Sequence, residues 1–350
     1  MTSSAASSTH SPAASGSAAP ALPAHVPLAV QIRGGAIEGV HYGTVAATDA
    51  DGALLWGAGS PEALFFPRSA LKPLQAVALV RAGLSLPAEL LALAAASHSG
   101  GPAHREGTRR ILSLHGLDEA VLANTTDLPY GVRERREWIA AGGRADRVCQ
   151  NCSGKHAAMA AVCTLNDWPT AGYLAPTHPL QRLVAATVAE LTGEEPASWT
   201  TDGCGTPLPA LSPVGMARAY GRIARAAAEG SGSPEAAVGR AMGLYPDMVA
   251  GEGRDVTALM RAVPGAVAKD GFEGVQLVGL PDGRAVAVKV SDGGDRARMP
   301  VTVRALAALG LPEAAEDGPL AALAAQPVLG GGRPVGLLTA LDDAFPPAAA

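Results

Sequence analysis

The sequence predicts an α+β fold, an antiparallel sheet with helices layered on it, on three observations. Strand-like runs come first, helical patterns fill the middle, and strands with a helix return near the end, which is not the βαβα alternation of a parallel sheet. Turn signals of the Asp-Gly type sit between the strand-like runs at both ends. Finally, hydrophobic residues make up 48% of 350, enough for a sizeable core. The length allows one or two domains, and the chain divides into a Ser/Ala/Pro tail over 1–26, expected to be disordered, and one domain over 27–345.

Taken in order, Gly43–Thr48 and Ala53–Trp56 flank Asp49-Ala50-Asp51-Gly52 and read as a β-hairpin. Ser69 to Ala82 is helical, and Pro73 requires the helix to begin near Ser69. Pro87–Ala96 is a second helix, stopped by Gly100-Gly101, and His104–Leu114 is an amphipathic third with Arg105, Arg109 and Arg110 outward. Cys152-Ser153-Gly154-Lys155-His156 opens a helix running to about Cys163. Thr177-His178-Pro179 caps another, followed by Met216–Ala228 and Ser233–Leu244. Val275–Leu280 and Ala285–Val290 form a late hairpin, and Val301–Leu309 is a closing helix before a Pro/Ala-rich end.

Composition excludes several classes. The net charge of −5 argues against a nucleic-acid partner, and no apolar run approaches the length of a membrane span. Four cysteines are too few for a disulfide framework, and Met1–His25 lacks the basic and apolar regions of a secretory signal. A cytoplasmic protein with reduced thiols is expected. Of the 27 basic residues only Lys72, Lys155, Lys269 and Lys289 are lysine. Arginine cannot lose its proton in a protein and lysine can, so each lysine is a candidate for chemistry.

Ser69 and Lys72 form an S-x-x-K at a helix start, where positions i and i+3 share a face and an amine can serve a serine as its base. Lys269, in Ala268-Lys269-Asp270-Gly271, resembles a K-T-G with Asp in place of Thr; alone it reads as an exposed loop lysine. Lys289 is expected on the solvent side of its strand, without a function. Cys149 and Cys152 make a C-x-x-C with no second pair at zinc-finger spacing, so a redox pair, half of a metal site or two buried thiols are all open. Thr201-Asp202-Gly203-Cys204-Gly205 is a second Gly-bracketed turn rich in ligand-type residues. Two thiolates, one nitrogen donor and a water would make an open zinc site. Cys163 is read as core.

Five segments occur together in one order: Phe66–Pro73, Ala96–Gly100, Cys149–His156, Thr201–Pro207 and Met248–Arg254, the last upstream of Lys269. Jointly they resemble the asparaginase II family, the Rhizobium etli type of L-asparaginase, over roughly Leu28 to Leu309. The resemblance implies a fold similar to the serine β-lactamases and glutaminases, with a helical subdomain. It also implies hydrolysis of L-asparagine to L-aspartate and ammonia by a homodimer. In it Ser69 is the nucleophile with Lys72 as base, and Ser97 pairs with Lys269. Zinc is held by Cys152, Lys155 and Cys204, while Asp202, Arg68 and His156 bind substrate. Two rivals remain: another S-x-x-K acyl hydrolase, acting on glutamine or a β-lactam, and a non-catalytic zinc-binding regulatory protein.

Overall fold

The computed structural model describes residues 22–347, so the predicted tail lies almost wholly outside the described residues. Val26–Arg33 (β1) turns through Gly34-Gly35, both at positive φ, into the long strand Ala36–Thr48 (β2). The predicted hairpin follows, to Leu54–Ala58 (β3). The Asp49 carboxylate accepts the amides of Asp51 and Ala53, and Gly52 takes φ +83°, the turn chemistry its Asp-Gly sequence anticipates. Trp199–Thr201 (β4) and Pro207–Pro209 (β5) form a separate two-stranded ribbon. Val267–Gly271 (β6), Val275–Gly279 (β7), Ala285–Val290 (β8), Ala325–Gly330 (β9) and Arg333–Ala340 (β10) complete the strands.

The main sheet is antiparallel throughout, in the order β6-β7-β8-β2-β1-β10-β9, with β3 also on β2. β2 changes partners along its length, from β1 at residues 36–43 to β8 at 43–48. Helices supply the other layers: Lys72–Arg81 (α1), Ala88–Ala94 (α2), Pro102–Ser113 (α3), Val132–Ala140 (α4), Ser153–Leu165 (α5), Pro179–Thr192 (α6), Pro213–Ala228 (α7), Pro234–Leu244 (α8), Pro246–Val249 (α9), Asp255–Ala262 (α10), Arg298–Ala308 (α11) and Ala321–Ala324 (α12). Proline in the first turn behind a capping side chain starts α6, α7 and α8, whose caps are His178, Ser212 and Ser233.

β7 is buried at every position, with α7 and α11 both packed on it. α7 seats flush because two glycines leave no side chain in the way. A Cβ on Gly279 would meet the Tyr220 carbonyl at 2.2 Å, and one on Gly221 the Gly283 carbonyl at 2.2 Å. That close seating lets the Tyr220 hydroxyl donate to the Ala70 carbonyl at 2.6 Å, pinning the turn that carries Ser69. The apolar core runs from Leu28 to Phe345 and includes Cys163, as expected.

Three expectations need correction. Val301–Leu309 does not close the fold: β9 and β10 follow, and β10 lies against β1. Lys269 is on no exposed loop but on β6, fully buried. Lys289 is partly buried rather than solvent-facing, because its ammonium donates to the Glu273 carbonyl, in a turn where Glu273 takes φ +68°.

Candidate active site

Phe66-Pro67 leads into a single 3-10 turn, Arg68–Leu71, which passes directly into α1. A 3-10 turn has three residues per turn, so Ser69 and Lys72 are eclipsed on one side of it. Arg68 takes φ +53°, a conformation L side chains rarely adopt. Two contacts hold it there: its Nε donates to Asp202 at 2.8 Å, and its guanidinium lies 5.3 Å from the Phe272 ring centroid. The strained residue therefore sits beside the candidate nucleophile and is clamped by the loop that carries Asp202.

Lys72 is 1% exposed, and its Nζ donates to the Ala96 carbonyl at 2.6 Å and the Ser97 hydroxyl at 2.8 Å. The expected Ser97–Lys269 pairing is thus replaced by Ser97–Lys72. Among the described residues no hydrogen bond joins Ser69 to Lys72 or Ser97 to Lys269. The reason is positional: Ser97 leaves the end of α2 directly beneath the Lys72 ammonium, while Lys269 is taken by its neighbour.

The segment bearing Ser97 is held on two sides. The amides of Ser97 and Ser99 donate to the carbonyls of Val249 and Ala250 at 3.0 and 2.7 Å. Gly251, at φ +130°, packs so close that a Cβ there would lie 2.3 Å from the Ser99 hydroxyl. On the other side the His98 amide donates to the Asn151 carbonyl, and its Nε2 meets the Ser153 hydroxyl at 2.8 Å. His98 stacks on His104 with centroids 5.0 Å apart, and burial pushes its pKa well down.

Lys269 donates its Nζ to the Asp270 carboxylate and to the Asp270 carbonyl at 2.8 Å. Burial, aided by the charge of Lys72, pushes the Lys269 ammonium down to about 8 against the opposing pull of Asp270. Burial also works against ionisation of Asp270, but Lys269, Arg254 and Arg298 outweigh it and hold the carboxyl well below the usual range. The second Asp270 oxygen accepts Arg254 at 2.8 Å, and the Arg254 guanidinium lies 4.8 Å from the Tyr130 ring centroid.

Asp202, Cys204 and Thr206 come from the tip of the β4–β5 ribbon, where the Asp202 amide and carbonyl bond Thr206 and Gly205 at 2.9 and 2.8 Å. Across from it, Cys152 caps α5, and Lys155 lies in the first turn of that helix. Lys155 Nζ reaches Cys204 Sγ at 3.1 Å and Thr206 Oγ1 at 3.0 Å. Cys152, whose Sγ donates to Asn151 Oδ1 at 3.1 Å, and the ammonium of Lys155 together hold Cys204 toward the thiolate. Cys152 itself is shifted upward by Cys204 and burial. Burial lowers Lys155, but the two sulfurs and Asp202 overcome it and raise it. His156 Nδ1 meets the Tyr173 hydroxyl at 2.7 Å, while its Nε2 is buried without a partner; burial and Lys155 push its pKa down to about 4.

Among the described residues no group of three or more His, Cys, Asp or Glu side chains is placed to hold a metal. The donor set here is of another kind: two adjoining buried thiols and an amine, with an orphaned imidazole nitrogen near by. It suits a sulfur-preferring ion such as zinc, provided that Lys155 gives up its proton to bind. Cys149 stands outside this set. All four cysteines are free and buried, and burial raises Cys149 to about 12.

Arg68 joins the Ser69 turn to the Asp202–Cys204 loop, and β6, which carries Lys269, packs on the same turn. The roles that sequence reasoning left unassigned are those of Arg254 and Tyr130; Arg254 ends one of the five quoted segments, and Tyr130 carried no signal. No described helix is long and apolar enough to cross a membrane.

The family profile described as L-asparaginase II matches residues 29–340, further toward the C-terminus than the motifs alone reached. No curated protein matches the chain. Solved structures that the chain matches include a β-lactamase from Mycobacterium bovis, 16% identical over 72% of this chain and 88% of that one, at a TM-score of 0.33. Mglu in its native form is 14% identical over 73% and 61%, at 0.32. An octameric penicillin-binding protein homologue from Pyrococcus abyssi is 14% identical over 76% and 72%, at 0.31.

Proposed function

We propose that this chain, which belongs to the L-asparaginase II family and is an asparaginase-like amidohydrolase, hydrolyses L-asparagine to L-aspartate and ammonia through an acyl-enzyme on Ser69. The observation that carries the reading is Lys72. It is a buried amine one 3-10 turn from a serine, and its two hydrogen-bond partners are neutral oxygens. Burying an ammonium is costly unless it is paired, and among the described residues no carboxylate bonds Lys72, which supports a chemical rather than a structural role.

Ser69 Oγ attacks the side-chain amide carbon as Lys72 accepts its proton, giving a tetrahedral oxyanion. Ser97, hydrogen-bonded to Lys72, holds that amine in place, and Lys269 protonates the departing amide nitrogen as ammonia; water then releases aspartate and frees Ser69. Asp202, oriented by Arg68, takes the substrate ammonium, and His156 lines the same region. Zinc bound by Cys152, Lys155 and Cys204 would supply an electrophilic centre that orients or polarises the substrate. The protein is expected to be cytoplasmic and homodimeric. Ammonia release from asparagine, glutamine and nitrocefin turnover are the discriminating assays. Asparagine turnover that disappears in Ser69→Ala supports the reading, and full activity in that variant refutes it.

A further inference from the structure

Two features of the sequence have no place in that mechanism: the Asp that stands where a K-T-G would have Thr, and the segment Met248–Arg254. The structure connects them. Segment 249–251 holds the backbone of Ser97 and Ser99, and three residues later Arg254 reaches Asp270. One short stretch thus braces Ser97 and, through Asp270, Lys269. We propose that Asp270, braced by Arg254, is the positioning residue for Lys269: it anchors that ammonium so that Lys269 serves as the acid and Lys72 as the base.

Lys269 is fully buried, and its Nζ is held twice by one residue, through the Asp270 carboxylate and carbonyl. Such a doubly held ammonium has a fixed direction, which a proton donor needs. The other Asp270 oxygen is occupied by Arg254, whose guanidinium is backed by Tyr130. Asp270 therefore cannot swing away from Lys269 without abandoning a second charged bond. Threonine at 270 would offer a hydroxyl but no charge, leaving Lys72 and Lys269 to repel each other unopposed. The charged and titratable groups around Lys269 are Asp270, Lys72 and Arg254, with Tyr130 behind Arg254. Beyond them lies Arg298, itself tied to Asp255 and Asp295. Among these, Asp270 is the acid in direct contact with the amine.

The inference rests on the amidohydrolase reading, so its test has one arm that does not need activity. The chain contains four lysines, so ε-13C lysine NMR gives few signals, assignable by single substitutions. In Asp270→Asn the Lys269 titration should move down by about one pH unit or more. In parallel, kcat near pH 8 should fall about tenfold or more with KM within about threefold, and the alkaline limb of kcat should shift to lower pH. Asp270→Glu, which keeps the charge, should hold the limb within about half a unit of wild type and serves if the Asn variant does not fold. An unmoved Lys269 titration, or a rate that rises at neutral pH in Asp270→Asn because a neutral Lys269 is the better base, overturns the proposal. So does an Asp270→Glu variant whose limb shifts by more than a unit. If wild-type protein releases no ammonia from any amide, the function falls, while the NMR titration still decides the role of Asp270.

Discussion

Replacing Lys72 by Met tests the centre of the mechanism with little disturbance to packing. Lys72 is 1% exposed, and its aliphatic stem fills space that Met, unbranched and of similar length, can occupy. Two terms decide the stability. The variant removes a buried amine whose partners are both neutral, which relieves a desolvation cost of several kcal/mol where the amine is charged. It also leaves the Ala96 carbonyl and the Ser97 hydroxyl without their donor, at about 1–3 kcal/mol. These oppose each other, so the melting temperature should change by only a few degrees. Catalysis has no such offset. Loss of a general base lowers the rate by about 10²–10⁴-fold, or about 2.7–5.4 kcal/mol in the barrier. The assay is continuous ammonia release beside a thermal melt. Lys72→Arg should be as inactive, since a guanidinium cannot accept the proton. A Lys72→Met variant within tenfold of wild type, measured beside an inert Ser69→Ala, would refute the assignment of Lys72 as base.

Asp202→Asn keeps the shape of the loop tip but removes the charge that pairs with Arg68; KM for asparagine should rise about tenfold or more with a smaller change in kcat, and a pure kcat loss would speak against an amine-binding role. Cys204→Ser should abolish stoichiometric zinc by elemental analysis, and chelation of wild type should lower asparagine turnover in proportion to the metal removed; protein that purifies metal-free and fully active would end the zinc reading.

The elements that could be read from the sequence were those with local signals. The Asp49–Gly52 turn, the Pro-led helices behind Ser233 and His178, and the Val275–Val290 hairpin each carry their own stop and start residues, and each is found where predicted. β9 and β10 were missed because Pro327 and Pro334 interrupt them and Leu329, Val335 and Leu337 face outward, so no alternation marks a buried face. The convergence of the site came from joint motifs, not from any one of them. Which serine bonds which lysine could not be read, since it depends on a 3-10 turn where a helix start was expected and on Asp270 capturing Lys269. Both are contacts set by tertiary packing rather than by spacing.

The scarcity of lysine can be divided by partner. Lys155 faces the sulfur of Cys204 and the hydroxyl of Thr206, Lys269 faces a carboxylate, and Lys72 faces two neutral oxygens. At 155 and 269 an arginine would satisfy the charge, so charge alone does not explain the lysine. Size does: both side chains are buried, and a guanidinium would bring five donors into places that offer two or three acceptors. At 72 the same steric argument applies, but it does not explain why an amine is there, because among the described residues no carboxylate meets it. An apolar residue would fill that space without the cost of burying an amine. A proton-exchanging role would give Lys72 a reason to be present, and so the three buried lysines carry unequal weight as evidence for the chemistry.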